Sequence, residues 1–238
     1  MRVGLFDSGI GGLTVLKTLR NRYPHNDYIY YGDTLNVPYG DKTKDELLSL
    51  SIQNIDFLLS KKVDIIIIAC GTVSSNCLKE IKEIYNIPIY GIAIPTIDYI
   101  NQSNFNNICV IATFATINSH IFKNNINRKV YEIETPKLVP LIENNDLSNI
   151  ETILSEYLNP YIDKIDLLVL GCTHYPIIKK NIKNIINKNI TILDMSTLID
   201  IPDNGTGTLS IYFSKLNNRI INNTKTILND SEVVINMK

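Results

Sequence analysis

The chain has 238 residues, 45% of them hydrophobic and 20% charged, with a formal net charge of −1. That balance fits a globule with a sizeable core and excludes a disordered or fibrous chain, while the near-zero charge supplies no field to gather nucleic acid or coat an anionic membrane. No stretch approaches the roughly 20 apolar residues of a membrane span, and the start, Met1 to Asp7, lacks the apolar core of a signal peptide, so a cytoplasmic protein is expected.

From the N-terminus, the apolar run over residues 3–6 predicts a buried strand, followed by a turn at Gly9-Ile10-Gly11-Gly12 and a helix over 13–20. A strand over 28–31, a helix over 44–61, a strand over 65–69, a helix over 73–85 and a strand over 89–92 follow. The next segments read as a strand over 108–112, helices over 119–124 and 149–161, a strand over 167–170, a helix over 177–186 and a strand over 190–193. The polar tail over 203–208 predicts a turn leading into a last helix over 209–216. Apolar runs alternating with helical patterns indicate an α/β fold with parallel sheets.

Two segments echo each other. Lys62-Val63-Asp64-Ile65-Ile66-Ile67-Ile68-Ala69-Cys70 matches Lys164-Ile165-Asp166-Leu167-Leu168-Val169-Leu170-Gly171-Cys172: Lys, a β-branched residue, Asp, four aliphatics, a small residue, then Cys. Each puts a cysteine at the carboxyl end of a buried strand, where open α/β sheets bind ligands. Two facing half-molecules would then present two thiols across one cleft. Cys77 falls in a helix pattern and Cys109 in a strand, so both read as core, and the four cysteines have no zinc-type spacing.

Opposed thiols suit one chemistry in particular. Inverting an amino-acid α-carbon needs two groups on opposite faces of a planar intermediate, each able to act as acid and base, and a thiol's pKa near 8.5 is readily tuned for that. His174, two residues after Cys172, can relay a proton or hold a thiolate, and Asp7-Ser8 at the end of the first strand could face Cys70. The glycine turn fails the GxGxxG template, since its third glycine would fall at Thr14; its backbone N–H groups are expected to hold a small carboxylate. His25 and His120 carry no such setting. Walker, HExxH and GxSxG motifs do not occur.

Phe6-Asp7-Ser8-Gly9-Ile10-Gly11-Gly12-Leu13-Thr14-Val15, Tyr31-Gly32-Asp33-Thr34 with Val37-Pro38-Tyr39-Gly40, Ala69-Cys70 and Gly171-Cys172-Thr173-His174-Tyr175-Pro176 together resemble the glutamate racemases. The resemblance runs from the first strand to about residue 194. It implies two flavodoxin-like α/β domains related by a pseudo-two-fold axis, with the site in the cleft between them. Residues 1–93 plus 197–238 would form one domain and 94–196 the other. It further implies an enzyme that makes D-glutamate for peptidoglycan with neither pyridoxal phosphate nor metal, and that works as a homodimer.

By position, Cys70 and Cys172 become proton donor and acceptor, and Asp7, His174 and Glu143 assist them. Ser8, Tyr39, Gly40, Gly71, Thr72, Thr113, Thr116 and Thr173 join Asp7 and His174 around the substrate. Two departures stand out. Gly71 replaces the family's Asn, removing one side-chain hydrogen bond or leaving it to water or another residue, and Asp194-Met195-Ser196 replaces Asp-Ser-Gly. The competing readings are a racemase of aspartate or a related acid and a non-catalytic binding protein on this fold. Aspartate racemases typically carry an acidic residue where this chain has His174.

Overall fold

The computed structural model describes residues 1–238. Ten strands form in chain order: β1 (Arg2–Asp7), β2 (Asp27–Gly32), β3 (Ile65–Ile68), β4 (Ile89–Gly91), β5 (Asn107–Ala112), β6 (Lys129–Glu134), β7 (Leu167–Leu170), β8 (Thr191–Asp194), β9 (Leu209–Phe213) and β10 (Ile235–Met237). The helices are α1 (Leu13–Arg22), α2 (Lys44–Ser60), α3 (Gly71–Asn76), α4 (Leu78–Ile84), α5 (Ala93–Gln102), α6 (Phe114–Asn118), α7 (Ile121–Asn125), α8 (Leu138–Asn144), α9 (Ile150–Leu158), α10 (Lys179–Ile185) and α11 (Asn218–Leu228).

All strand pairs are parallel. One sheet runs β10-β9-β2-β1-β3-β4 and the other β6-β5-β7-β8. The block β2-β1-β3-β4 and the whole second sheet share one connectivity, the beginning of the flavodoxin strand order. The first sheet differs by the two C-terminal strands added at its β2 edge. The α/β fold with two parallel sheets is therefore as the sequence indicated.

Strand periodicity decides which face each side chain takes. Ile65, Ile67 and Ala69 of the first echo segment point into the central core of 31 residues, and so do Leu167 and Val169 of the second. Ile66, Ile68 and Cys70 lie in the outer cluster under α2, α3 and α4, and Leu168, Leu170 and Cys172 lie in the outer cluster under α9 and α10. The register agrees, with Phe6 opposite Ile68 in one sheet and Ile111 opposite Leu170 in the other. Each cysteine thus follows its last ladder residue by two positions, beside a point where strand order reverses.

Several elements differ from their sequence reading. Residues 209–213 form β9, not a helix: Leu209-Ser210-Ile211-Tyr212-Phe213 alternates, burying Ile211 and Phe213, and inserts between β2 and β10. The last helix is α11, whose buried Ile220, Thr224 and Leu228 recur every fourth residue after the Asn217 cap. The helix expected over 73–85 breaks at Cys77, where φ reaches −125°, into α3 and α4. The helix expected over 119–124 is α7, starting two residues later at Ile121 and preceded by α6, which the sequence reading did not expect, and the stretch from 177 opens as the 3-10 turn Tyr175–Ile178 before α10.

Candidate active site

The first half of the site hangs from the ends of β1 and β3. Asp7 is buried there, and its Oδ1 accepts the Gly9 N–H at 3.0 Å while Oδ2 accepts the Thr173 hydroxyl at 3.0 Å, so it ties the two halves together. Cys70 caps α3, and its Sγ donates to the Ser8 hydroxyl at 3.9 Å. Burial, then the nearby Asp7 carboxylate, pushes the Cys70 thiol up to about 12, so it holds its proton at neutral pH.

The second half follows β7. Cys172 Sγ lies 3.5 Å from His174 Nδ1, and His174 Nε2 donates to Glu143 Oε1 on α8 at 2.7 Å. Burial disfavours a charged imidazole, but hydrogen bonds to Cys172 and Glu143 outweigh it and raise His174 well above its usual range. Burial likewise opposes the Glu143 carboxylate, yet the His174 hydrogen bond and charge hold it below the usual range. Both shifts describe one buried ion pair, with its imidazolium facing the Cys172 sulfur. A charge developing on that sulfur would be balanced in place.

The glycine turn does something other than expected. Its Gly9 N–H goes to Asp7, and its Ile10 N–H goes to Glu143 Oε1 at 3.1 Å, so these donors serve the chain's own carboxylates. A Cβ on Gly11 would meet His174 Nδ1 at 2.5 Å and Thr173 Oγ1 at 2.6 Å, which makes the missing side chains the reason the two halves can touch here.

Ser8, Tyr39, Gly40, Cys70, Gly71, Thr72, Thr113, Cys172, Thr173 and His174 line one narrow cavity of about 10 Å³, with Pro38 and Val139 completing its wall. That is about the room one water needs, so an amino acid enters only when these walls part. Thr116 stands behind this wall, its Oγ1 accepting from Thr113 at 3.0 Å, and the Thr72 and Thr113 hydroxyls meet at 2.9 Å. The Tyr39 hydroxyl is engaged with Asp33 at 2.6 Å and Asn54 at 3.0 Å, leaving its ring and backbone toward the cavity. A larger cavity of about 280 Å³ adjoins the site through Pro38, Val139 and Glu143, with Lys215 and Arg219 on its far wall.

Two features escaped sequence reasoning. Tyr30 is fully buried and donates to the Gly9 carbonyl at 2.7 Å, bracing the turn; nothing in a strand pattern marks it, except that a buried tyrosine hydroxyl needs a partner. Asp33 gathers Tyr39, Asn36 and Ser214, the last at 2.8 Å, and so connects the cavity wall to β9. Cys77 and Cys109 are core residues, buried away from the cavity.

The sequence profile described as Asp/Glu/Hydantoin racemase matches residues 16–198. A glutamate racemase from Aquifex pyrophilus is 38% identical over 228 residues, covering 91% of this chain and 89% of that protein. The chain belongs to the Asp/Glu/hydantoin racemase family. As a racemase it is an isomerase. Another relative, a glutamate racemase from Clostridium perfringens, is 41% identical over 204 residues, 82% of this chain and 78% of that protein. Among solved members of the family, the Francisella tularensis glutamate racemase in complex with D-glutamate superposes with a TM-score of 0.86 at 31% identity, covering 100% of this chain and 96% of that one. A Picrophilus torridus aspartate racemase, with a TM-score of 0.64 at 20% identity and covering 82% of this chain and 89% of that one, shares the fold.

Proposed function

We propose that this chain interconverts L- and D-glutamate by a two-base proton transfer between Cys70 and Cys172, supplying D-glutamate for peptidoglycan in the cytoplasm. The observation that carries the reading is the pair of thiols lining one small cavity from two different sheets, each with its own polar partner. In one direction a thiolate takes the α-proton: the C–H bond breaks, an S–H bond forms, and the electron pair stays on the carbon, delocalised into the carboxyl group. The opposite thiol then gives its proton to the other face and becomes the thiolate. The enzyme ends with its one thiol proton on the other side, ready for the reverse reaction.

In this reading Cys70 starts as the acid, Asp7 and Ser8 are its neighbours, and His174 with Glu143 balances charge at Cys172. Ser8, Thr72, Thr113 and Thr173 hold the substrate's polar groups, together with the ring or backbone of Tyr39, Gly40 and Gly71, and Thr116 supports Thr113. Cofactor independence is supported by the lining itself, which offers two thiols for the proton transfers and no lysine to carry pyridoxal phosphate. Glutamate is favoured over aspartate by the relatives, which are glutamate racemases at 35–41% identity, and by His174 in its motif. A homodimer is supported by Tyr90, Ile94 and Tyr99, which stand exposed within one short stretch.

Replacing Cys70 or Cys172 by Ala tests the assignment. Each variant is expected to keep its far-ultraviolet circular dichroism and to lose racemisation by roughly 10²- to 10⁴-fold, the usual worth of a positioned acid or base. A variant that keeps near-normal turnover would remove that cysteine from the mechanism.

A further inference from the structure

We propose that Gly71 is a positioning residue: it packs without a side chain on Gly171, and this backbone contact sets the separation of the Cys70 and Cys172 sulfurs. The proposal rests on the two-thiol reading above. Gly71 directly follows Cys70 as the first residue of α3, and Gly171 directly precedes Cys172 at the end of β7. The two residues therefore adjoin the two thiols and meet across the cleft between the sheets.

A Cβ placed on Gly71 would lie 2.6 Å from the Gly171 carbonyl oxygen, inside the 3.0 Å that real Cβ atoms essentially never breach. The obstacle is backbone, which cannot swing aside as a side-chain tip can. Nor can Gly171 retreat: its N–H donates to Ile111 O at 2.8 Å, and a Cβ of its own would meet that same oxygen at 2.7 Å. On the other side, α3 is latched across the cleft by the Thr72–Thr113 contact at 2.9 Å and by Asn76 Nδ2 donating to Ala115 O at 3.1 Å. A side chain at 71 is thus accommodated only by moving the ends of β3 and β7 apart, and the sulfurs move with them.

That movement falls on the coordinate to which a two-base reaction is most sensitive. Both sulfurs must reach one α-carbon from opposite faces, and a displacement approaching 1 Å costs a positioned reaction on the order of 100-fold. With only one sulfur in reach, that sulfur can still remove the α-proton and, after exchange with solvent, return a deuteron to the same face. The signature of lost spacing is therefore exchange without inversion. The same argument reverses the expectation from the family's Asn: putting it back at 71 harms this chain.

The experiment compares wild type with Gly71→Ala and Gly71→Asn, incubating each full chain with L-glutamate in heavy water. Loss of the α-proton is followed by NMR and inversion by circular dichroism, with thermal melting recorded for each variant. Both variants are expected to fold, to lose roughly 10- to 100-fold in kcat, and to show a ratio of α-exchange in recovered L-glutamate to inversion above that of wild type. Full kcat, a lowered KM at full kcat, a proportional fall of exchange and inversion, or failure of Gly71→Ala to fold would each overturn the proposal, the last by making the contact merely structural. Cys70→Ala and Cys172→Ala run alongside: if they keep turnover the two-thiol reading itself fails, and if they lose it while the Gly71 variants keep theirs, only the spacing role fails.

Discussion

His174 touches one thiol and one carboxylate, and both contacts act on its proton. Because it serves Cys172 and not Cys70, His174→Ala should slow the L-to-D and D-to-L directions unequally; equal losses in progress curves from the two enantiomers would contradict that placement. The pair also carries a pH signature. A His pKa raised by folding contributes stability that is complete below its ordinary value of about 6.5 and is lost as pH climbs through the raised one, and a lowered Glu contributes above about 4.5 and loses it as pH falls through the lowered one. Glu143→Gln should therefore lower the melting temperature most between about pH 5 and 6.5, with the gap to wild type shrinking at more alkaline pH; a gap that widens with rising pH would contradict the ion pair. Cys70, Cys172 and His174 were legible because strand register and a two-residue spacing are local facts. The engagement of the Tyr39 hydroxyl was not, since Asp33 is held in turn by Ser214, 181 residues further on.

At the scale of elements, β9 shows where local pattern fails. Residues 209–213 read as a helix after a polar turn, but a row of hydrogen bonds to Asp27 fixes that turn against β2 and delivers the chain as a strand. The Asp27 Oδ1 accepts the N–H groups of Thr206 and Thr208 at 3.3 and 3.0 Å and both their hydroxyls at 2.7 Å. Those bonds, led by the Thr208 hydroxyl, hold the Asp27 carboxyl well below the usual range. Its contribution to stability is present above the ordinary carboxyl value near 3.9 and fades as pH falls through the depressed one. Asp27→Ala should accordingly melt lower than wild type at pH 7, with the difference narrowing below about pH 4; a difference independent of pH across that range would mean the carboxylate charge does not hold β9. The edge strand β6 escaped sequence reading for a related reason: Lys-Val-Tyr-Glu-Ile-Glu buries only Ile133 fully, so its alternation is weak. Helix α11, by contrast, was there to be read in the fourfold spacing of Ile220, Thr224 and Leu228, under a cover of asparagines.

For the whole molecule, the decisive relation is between the two sheets. Their shared strand order carries the echoed segments into equivalent places, so that parity along β3 and β7 sends Cys70 and Cys172 to corresponding faces and strand-end reversals bring both to one cavity. A single core of 31 residues joins the sheets, drawing on β1, β3, β5 and β7 together with α1 and α5, and so holds the halves of the site in register. The sequence echo anticipated this pairing; the glycine contacts that let the halves approach depend on backbone geometry that no local pattern reveals. If two separate thiols act on opposite faces, L-glutamate turned over in heavy water should yield D-glutamate carrying α-deuterium from the first turnover, with little deuterium in the remaining L-glutamate, and the mirror result should hold from D-glutamate. Substantial protium at the α-carbon of the earliest product would mean that one group carries the proton across, and would contradict Cys70 and Cys172 as separate donor and acceptor.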